Sequence, residues 1–431
     1  MNETAYHHVR TTPADPPVGC PVNHDFTPLA PNYVEDPYPI LARLRDETPV
    51  AYAPKLGFVV VSRMQDVQHV LLNPDVYSSA NAQDPVFPVG EQAAAILVHP
   101  DFNPVAVMSN RQEPDHGRIR QYTKKGFTNR RNKILEPYIR RRASELIDEM
   151  MAKGTPADFI AEVAQPLPGE VIFRFVGFPE TDDQQLKQWC GNRLAFSWGQ
   201  PSASEQVEIA QNMVAYWQYV QQFTADKRNN PGDDLASELL ADHEANPDDL
   251  SYREVESILY GLSFAGHEPV TLLLGNALLS LLPQRQVWDN ICADPSLIPH
   301  ALEEVLRWNS PQIGWRRITT CNTTLAGVDI PAGTQVFLSL GAANRDPAEF
   351  DNPDVYDLDR SNARHNISFG KGNHFCLGAK FARFEAKVIM EVLTQKLPSL
   401  RLVQNQEIHQ FPNISFRGPS RLGVGWDTAT T

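Results

Sequence analysis

The feature that most constrains this chain is a long apolar segment between Ser251 and Pro283. Ser251 and Glu254 have the spacing of a capping box at a helix N-terminus, and Pro283 supplies a stop. About 31 helical residues between them would span roughly 46 Å, close to the width of a whole domain. The segment is apolar around most of its circumference, which predicts a helix that runs through the core.

This predicted helix is interrupted near its middle by the sequence FAGHEPVT, residues 264–271. Pro269 has no N–H to bond the Ala265 carbonyl, and a proline inside a helix usually costs about 3 kcal/mol. We therefore expect either a kink that serves packing or a functional surface that faces a cavity.

The rest of the chain predicts more helix than strand. Helical patterns cover residues 136–154 and 204–228, whereas residues 49–62 and 320–340 alternate and turn like short strands. No internal repeat and no Gly/Ser linker is visible. We predict a mainly α protein: a flexible N-terminal tail of residues 1–24, then a single domain of residues 25–431 with a long central helix and a small β-rich region.

Charge and composition exclude some classes of partner. A formal net charge of −14 argues against non-specific nucleic-acid binding, which needs a basic face. No signal peptide and no uninterrupted apolar run long enough to span a membrane is visible. The five cysteines are scattered and never form a C-x-x-C pair, which fits a reducing compartment. These features predict a cytoplasmic protein that binds neither nucleic acid nor membrane.

One of these cysteines lies in an unusual segment, FGKGNHFCLG, residues 369–378. Its glycines permit positive φ angles and a close approach of the backbone to a flat group. A strongly helical pattern follows Cys376, so free N–H groups and the helix dipole favour a thiolate there. An incidental cysteine in a Gly-rich turn is the plainer alternative, but the combined features favour a binding segment.

This segment resembles the haem-binding signature of the cytochrome P-450 superfamily. Three further segments resemble family motifs in the same order: the Glu-x-x-Arg pair Glu304 and Arg307, the stretch at residues 343–360, and the oxygen-binding part of the central helix at residues 265–268. The resemblance implies the cytochrome P-450 fold, haem b as cofactor, and Cys376 as the iron ligand.

The resemblance also implies individual roles for other residues. Phe369, Gly370 and Gly378 belong to the haem-binding segment. The haem propionates are expected to be held by His116, Arg120, Arg317 and His365, because two buried carboxylates require Arg and His donors. Glu304 and Arg307 are expected to form a buried structural network rather than to take part in catalysis.

The oxygen-binding segment departs from the family pattern at one position. Ala265, Gly266, His267 and Glu268 match it, but Pro269 stands where members usually carry a threonine. Because proline has no hydroxyl, proton transfer is predicted to depend on Glu268, His267 or ordered water. A role for Pro269 in helix shape alone is the alternative.

The implied function is a haem-thiolate monooxygenase that inserts one oxygen atom from O2 into a hydrophobic substrate, with aromatic compounds among the candidates. By resemblance, its pocket is walled by residues 258–265, 313–315, 86–107 and 414–416. A peroxygenase that uses hydrogen peroxide is the first alternative, and a non-catalytic haem sensor is the second.

A separate protein or domain must supply the electrons. The sequence has neither a dinucleotide-binding glycine motif nor a cysteine quartet for an iron–sulfur cluster. The segments at residues 20–29 and 35–50 resemble bacterial members whose haem domain is fused to a flavin/iron–sulfur reductase. A reductase is predicted to dock near the basic residues Arg118, Lys124, Lys125 and Lys371.

Overall fold

A computed structural model describes residues 15–428. The strands are β1 (Val50–Ala53), β2 (Phe58–Val61), β3 (Tyr77–Ser78), β4 (Ala157–Asp158), β5 (Gly314–Thr319), β6 (Thr323–Leu325), β7 (Val328–Ile330), β8 (Gln335–Ser339), β9 (Arg401–Leu402) and β10 (Gly423–Gly425). The helices are α1 (Pro31–Glu35), α2 (Tyr38–Glu47), α3 (Met64–Leu72), α4 (Glu91–Leu97), α5 (Asp115–Lys124), α6 (Asn129–Lys153), α7 (Pro166–Val176), α8 (Asp183–Cys190), α9 (Arg193–Trp198), α10 (Ala203–Asn229), α11 (Leu235–Ala245), α12 (Tyr252–Ala265), α13 (Glu268–Leu281), α14 (Arg285–Ala293), α15 (Ile298–Trp308), α16 (Leu340–Ala343) and α17 (Ala379–Lys396).

The largest core lies among the helices, as the composition of the chain predicts. The helices α6, α7, α10, α12, α13, α15 and α17 pack against one another around fully buried aromatic side chains such as Trp217, Trp288 and Phe159. The helix α13 is buried on nearly every face, which agrees with a position inside the core rather than at its edge.

The β-rich region is small and lies to one side of the helices. Its main sheet has the order β1-β2-β8-β5-β3, in which only β2 and β8 run parallel. The two strands predicted within residues 49–62 are β1 and β2, and the predicted hairpin is β6–β7. Buried valines such as Val59 and Val61 pack this sheet against α3 and α16.

The long central helix is not continuous. The capping box at its start is present, because Ser251 and Glu254 each accept from the other's backbone N–H. However, α12 ends at Ala265 and α13 begins at Glu268, so the predicted single helix is two helices. Pro269 is the second residue of α13, where a missing N–H costs little. The proline therefore starts a helix rather than kinking one.

The predicted Glu-x-x-Arg network is buried as expected. Both side chains of Glu304 and Arg307 are fully buried, with Arg307 Nη2 2.6 Å from Glu304 Oε1. Arg360 donates to the same carboxylate oxygen at 2.9 Å. Arg307 also donates to the carbonyls of Asn344 and Pro353, which fixes the segment that leads towards Cys376. All of its contacts are structural.

The described part of the predicted tail contacts the sheet. Tyr52 of β1 donates to the Pro21 carbonyl at 2.7 Å and accepts from the Asn23 N–H at 2.8 Å. Cys20 is buried beside this pair. Residues 1–14 lie outside the described residues, so the division at residue 24 stays a prediction. Within residues 15–428, no helix is long and apolar enough to cross a membrane.

Candidate active site

A cavity of about 320 Å³ lies between the helix break and the loop that carries Cys376. Ala265, Gly266 and Pro269 line it from the break, and Cys376 lines it from the loop. Its wall is mostly apolar and contains nine Phe, Tyr and Trp side chains, of which five lie away from the Cys376 loop and the helix after it on the far part of the wall or beside the helix break: Trp198, Tyr260, Phe264, Trp315 and Phe416. The cavity therefore has a cysteine thiol at one side, the break between α12 and α13 at another, and an aromatic wall.

The backbone of the Cys376 loop is fixed by local geometry. Gly370 and Gly372 both have φ +72°, a conformation that other residues rarely adopt. A Cβ on Gly372 would also meet the Leu71 carbonyl oxygen at 2.8 Å. The Cys376 N–H donates to the Phe369 carbonyl at 2.9 Å, which closes the loop. Gly378 differs, because its φ of −80° suits any residue.

Two opposing effects act on the Cys376 thiol. Its enclosure raises the pKa, whereas the N–H groups of Gly378 and Ala379 and the Arg120 guanidinium lower it, and enclosure prevails. The predicted N–H groups at the start of α17 are therefore present but do not by themselves produce a thiolate. A bound metal ion deprotonates a coordinating thiol outright.

Several cations converge at the edge of the cavity. Arg120 and Arg317 both line it, and burial lowers the pKa of both, that of Arg317 to about 10. Neither forms an ion pair with any residue in the described part of the chain. Arg317 is buried and donates to the Arg316 carbonyl at 2.7 Å, whereas Arg120 is half-buried and donates to the Phe375 carbonyl at 2.6 Å. Because neither has a carboxylate partner, this cluster fits a ligand that brings its own negative charge.

Two histidines complete this cluster. The rings of His116 and His374 lie 3.9 Å apart, and His374 lines the cavity. His116 Nδ1 contacts Glu113 Oε1 at 3.0 Å, while its buried Nε2 has no partner among residues 15–428. Burial, His116 and the two arginines together lower the pKa of His374 to about 3. The four side chains share one electrostatic environment.

The sequence analysis predicts His365 as a propionate donor, but the histidine that lines the cavity is His374. His365 contacts Glu349 at 2.7 Å, its side chain is 62% exposed, and it does not line the cavity. Its predicted role is therefore wrong, because it lies on the protein surface. The signal for His374 was available in its position, two residues before Cys376 within the glycine-rich loop.

The predicted proton-relay residues point away from the cavity. His267 is buried with Nε2 3.0 Å from the Gln165 carbonyl, and burial lowers its pKa to about 4. Glu268 accepts from the Leu194 N–H at 3.3 Å, and burial raises its pKa to about 8. Neither side chain lines the cavity, so neither exchanges protons with it directly.

The predicted pocket walls are partly correct. Within the predicted ranges, the lining residues are Pro104, Val105, Val107, Tyr260, Gly261, Leu262, Phe264, Ala265, Trp315 and Phe416. No sequence pattern indicates the contribution from α9, whose Arg193, Leu194 and Trp198 line the cavity. That helix is short and distant in sequence from every motif.

The match to a protein-family model decides the family. Residues 46–414 match the model described as Cytochrome P450. The chain belongs to the cytochrome P450 family. It is 34% identical over 398 residues to Cytochrome P450 107B1 of Saccharopolyspora erythraea, which covers 91% of this chain and 95% of that protein.

Two solved P450 structures are similar over nearly the whole chain. Cytochrome P450 CREJ in complex with (4-ethylphenyl) dihydrogen phosphate has a TM-score of 0.88 and 37% identity, over 91% of this chain and 98% of that one. An intact type IV self-sufficient cytochrome P450 monooxygenase has a TM-score of 0.93 and 34% identity. That match covers 98% of this chain but 55% of the longer protein.

Family membership confirms the fold, the enzyme class and the cofactor expected from the sequence. This bacterial-type P450 is a monooxygenase and an oxidoreductase, its cofactor is haem, and it uses O2 and redox partners. A fused reductase is present in similar proteins such as the self-sufficient one. The cavity also fits haem, because Arg120 and Arg317, which have no carboxylate partner in the described part of the chain, suit two carboxylates, and the Cys376 thiol lines the same space.

Proposed function

We propose that this P450 monooxygenase inserts one oxygen atom into a hydrophobic aromatic compound bound against the aromatic wall of the cavity. The observation that carries the proposal is this wall, in which the rings of Trp198 and Trp315 stack with centroids 4.9 Å apart. Phe416 meets Trp198 edge to face at 6.2 Å. Offset and edge-to-face contacts are the geometries in which aromatic rings attract one another.

One cation in this wall favours an aromatic substrate whose ring carries an anionic group. Arg193 is buried and lines the cavity, with its guanidinium 5.6 Å from the centroid of Phe264. A phosphate or carboxylate on the substrate ring would be recognised by such a guanidinium. The structure of CREJ with an ethylphenyl phosphate supports this choice for a relative of 37% identity.

The test is a binding titration of the haem-loaded protein, in which binding is monitored through the spin-state change of the haem. The probes are 4-ethylphenol, (4-ethylphenyl) dihydrogen phosphate and an aliphatic alcohol of similar size. We expect both aromatic probes to bind more tightly than the alcohol, and the phosphate to lose its advantage over the phenol in Arg193→Gln. Arg253→Gln, which changes a cation outside the cavity, is the control. Equal binding of all three probes would contradict the proposal.

Within this proposed function, different residues of the cavity have different roles. Cys376 is the proposed iron ligand, and the bound haem supplies the oxygen-activating chemistry. Phe369, Gly370 and Gly378 form the loop around that ligand, in which Arg383 lies 4.4 Å from the ring centroid of Phe369. His116, Arg120, Arg317 and His374 hold the propionates. The apolar wall excludes water from the reacting groups.

The docking face for a reductase is proposed on the Cys376 side. Phe375 is exposed there, and Lys371 and Lys124 are exposed basic residues. The predicted basic patch has less uncompensated positive charge than the sequence indicates, because Arg118 pairs with Glu254 at 2.7 Å and Lys125 pairs with Asp242 at 2.8 Å. Electrostatic steering would therefore come mainly from the other two lysines.

Charge reversal tests this face. Lys371→Glu and Lys124→Glu should slow reduction by a flavin/iron–sulfur reductase and weaken the dependence of that rate on ionic strength. Lys55→Glu, in the β1–β2 turn, is the control because it changes the same charge elsewhere. An unchanged rate in the first two variants would argue against this face. A cytoplasmic location and a fused reductase stay predictions.

One observation favours peroxide as a second oxidant. The position after Glu268 holds Pro269, which lines the cavity and has no hydroxyl to deliver a proton. Hydrogen peroxide already carries the two protons and the two electrons that a reaction with O2 must obtain from elsewhere, so turnover with peroxide depends less on that delivery. Turnover of one substrate with peroxide, compared with turnover by a nicotinamide cofactor and a reductase, measures this alternative.

A further inference from the structure

Three aromatic side chains of the cavity wall can lose an electron readily, because tyrosine and tryptophan are far more easily oxidised than phenylalanine. These three are Trp198, Tyr260 and Trp315. Two of them lead no further into the protein. Trp198 and Trp315 stack on each other, and in the described part of the chain their further ring neighbour is Phe416, at 6.2 and 6.4 Å.

The charge beside these two tryptophans also disfavours their oxidation. The Arg316 guanidinium lies 3.8 Å from the ring centroid of Trp198. A positive charge over a ring is attracted to its electrons, so it opposes the removal of one of them. An oxidising equivalent in the cavity is therefore not drawn towards this pair.

Tyr260 of α12 begins a continuous line of oxidisable rings. It stacks on Tyr216 of α10, with centroids 5.0 Å apart and planes 26° apart. Tyr216 lies 6.4 Å from Trp189 of α8, which lies 5.5 Å from Tyr219 of α10. Tyr260 and Tyr216 are buried, whereas Trp189 and Tyr219 are partly exposed. The four rings connect the cavity to the surface.

One branch leaves this line at Tyr260. Trp217 meets Tyr260 edge to face at 5.5 Å, but the Arg253 guanidinium lies 5.4 Å from the centroid of Trp217. The buried Nε1 of Trp217 has no partner among residues 15–428 that could accept its proton. Both features make Trp217 harder to oxidise than Tyr216, so the line through Tyr216 is favoured.

The outer end of the line is arranged to release a proton together with an electron. The Tyr219 hydroxyl donates to Asp182 Oδ2 at 2.7 Å. A phenol that loses an electron becomes a strong acid, so its proton passes to this carboxylate, which is partly exposed to solvent. The Tyr216 hydroxyl donates instead to the Ser263 hydroxyl, which is a much weaker base. Oxidation is therefore expected to come to rest at Tyr219.

We propose that Tyr260, Tyr216, Trp189 and Tyr219 form an electron route that gives this P450 a peroxidase-type activity at its surface. Peroxide is reduced in the cavity while no substrate is bound, and a one-electron donor protein is oxidised at Tyr219 without entering the cavity. Reduction of one hydrogen peroxide to two water molecules takes two electrons and two protons. In each of two cycles, Tyr219 gives one electron to the route and one proton to Asp182. The donor then restores the electron and Asp182 restores the proton, so solvent supplies the two protons consumed.

Rapid-freeze electron paramagnetic resonance tests the route. The haem-loaded protein is mixed with hydrogen peroxide in the absence of substrate, and we expect a tyrosyl radical that is narrowed by deuterated tyrosine. Its signal should fall severalfold in Tyr219→Phe and should be lost in Tyr260→Phe. Tyr33→Phe is the matched control, because Tyr33 is buried, packs edge to face on Phe26 and does not line the cavity. No radical in the wild-type protein, or equal signals in Tyr260→Phe and Tyr33→Phe, would overturn the proposal.

The second measurement uses reduced cytochrome c, a donor far too large to enter a cavity of about 320 Å³. Its oxidation by peroxide should slow severalfold in Tyr216→Phe and Tyr219→Phe, and the haem of Tyr216→Phe should bleach faster because oxidising equivalents stay in the cavity. Neither residue lines the cavity, so peroxide-driven oxygenation of 4-ethylphenol should be retained in both variants. Oxidation of cytochrome c at the rate of Tyr33→Phe in both variants would contradict the route.

The failure of this route is distinguishable from the failure of the proposed function. A wild-type protein that shows the radical and oxidises cytochrome c but oxygenates no aromatic probe would contradict the proposed function and support the route. If Tyr216→Phe does not retain haem, Trp189→Phe and Tyr219→Phe decide, because both residues lie at the partly exposed end. Wild-type rates of cytochrome c oxidation in those two variants would overturn the proposal.

Discussion

The two sides of the cavity differ in how their geometry is encoded. On one side, the Cys376 loop takes its shape from ten consecutive residues, with two glycines at φ +72° and one hydrogen bond from Cys376 to Phe369. On the other side, the break between α12 and α13 depends on groups that are far apart in sequence. A Cβ on Gly266, for example, would meet Ile172 Cγ1 at 2.5 Å. Local sequence therefore specifies the first side, and tertiary contacts specify the second.

The two sides therefore differ in what a family motif can predict. The cysteine of the loop motif lines the cavity, as do Leu262, Ala265, Gly266, Pro269 and Leu273 around the break. His267 and Glu268, the polar residues of the second motif, do not line the cavity and contact Gln165 and Leu194 instead. The motif indicates the position of the break, but tertiary contacts determine which of its side chains face the cavity.

The largest effect is expected on the loop side of the cavity, from a change at Cys376. Replacing Cys376 with His should preserve part of the haem binding but abolish the red-shifted absorption band of the reduced CO complex. Monooxygenase turnover should fall below detection, because a thiolate ligand is what favours cleavage of the O–O bond. Cys321→Ser, which changes an exposed cysteine, should retain the band. A Cys376→His protein with the wild-type band would contradict the assignment.

The next effect separates His365, which the sequence predicts as a propionate donor, from His374, which lines the cavity. His374→Ala should weaken haem retention about 10- to 100-fold, the range for loss of a hydrogen bond to a charged group. His365→Ala should not weaken it, because that side chain is on the surface. The measurement is the rate of haem transfer to an acceptor protein. Equal rates in the two variants would contradict the corrected assignment.

Most of the fold was predictable because its signals are local. The capping box at Ser251, the hairpin β6–β7 and the two strands of residues 49–62 follow from patterns of a few residues. The buried pair of Glu304 and Arg307 followed from the family motif and is confirmed in its burial. Other features could not be predicted. The wall from α9 depends on which helices meet around the cavity, which no short pattern encodes.

The pH dependence of stability tests the other side of the cavity, at the break between α12 and α13. Burial, with a smaller contribution from Lys187, lowers the pKa of His267 to about 4 from 6.5. Its stabilising contribution is therefore present above pH 6.5 and is lost as pH falls through about 4. The shift is worth about 2 kcal/mol between pH 7 and pH 5. Glu268 acts oppositely, because its raised pKa makes its contribution disappear as pH rises through about 8.

The corresponding variant is His267→Gln. Its thermal unfolding midpoint should fall less between pH 7 and pH 5 than that of the wild-type protein, since glutamine does not titrate. His409→Gln, which changes an exposed histidine, should show the wild-type fall. If the unfolding midpoint of His267→Gln falls as far as that of the wild-type protein, protonation of His267 is not the cause of the loss of stability at low pH.

The smallest expected effect concerns Pro269. As the second residue of α13, the proline is tolerated in the backbone, so its main consequences are a missing hydroxyl and a free Ala265 carbonyl. Thr271 does not replace that hydroxyl, because its Oγ1 donates to the His267 carbonyl at 3.3 Å and it does not line the cavity. Pro269→Thr should raise the product formed per electron pair severalfold at most, and it should reduce turnover with peroxide.

The matched variant Pro269→Ala tells which consequence matters. Alanine restores an N–H that can bond to the Ala265 carbonyl but adds no hydroxyl, so it closes the helix without supplying a proton donor. If the hydroxyl is responsible, only Pro269→Thr improves the yield per electron pair. If closing the helix is responsible, both variants behave alike. If neither variant changes either ratio, the proline serves only the shape of the helix, and peroxide use has another cause.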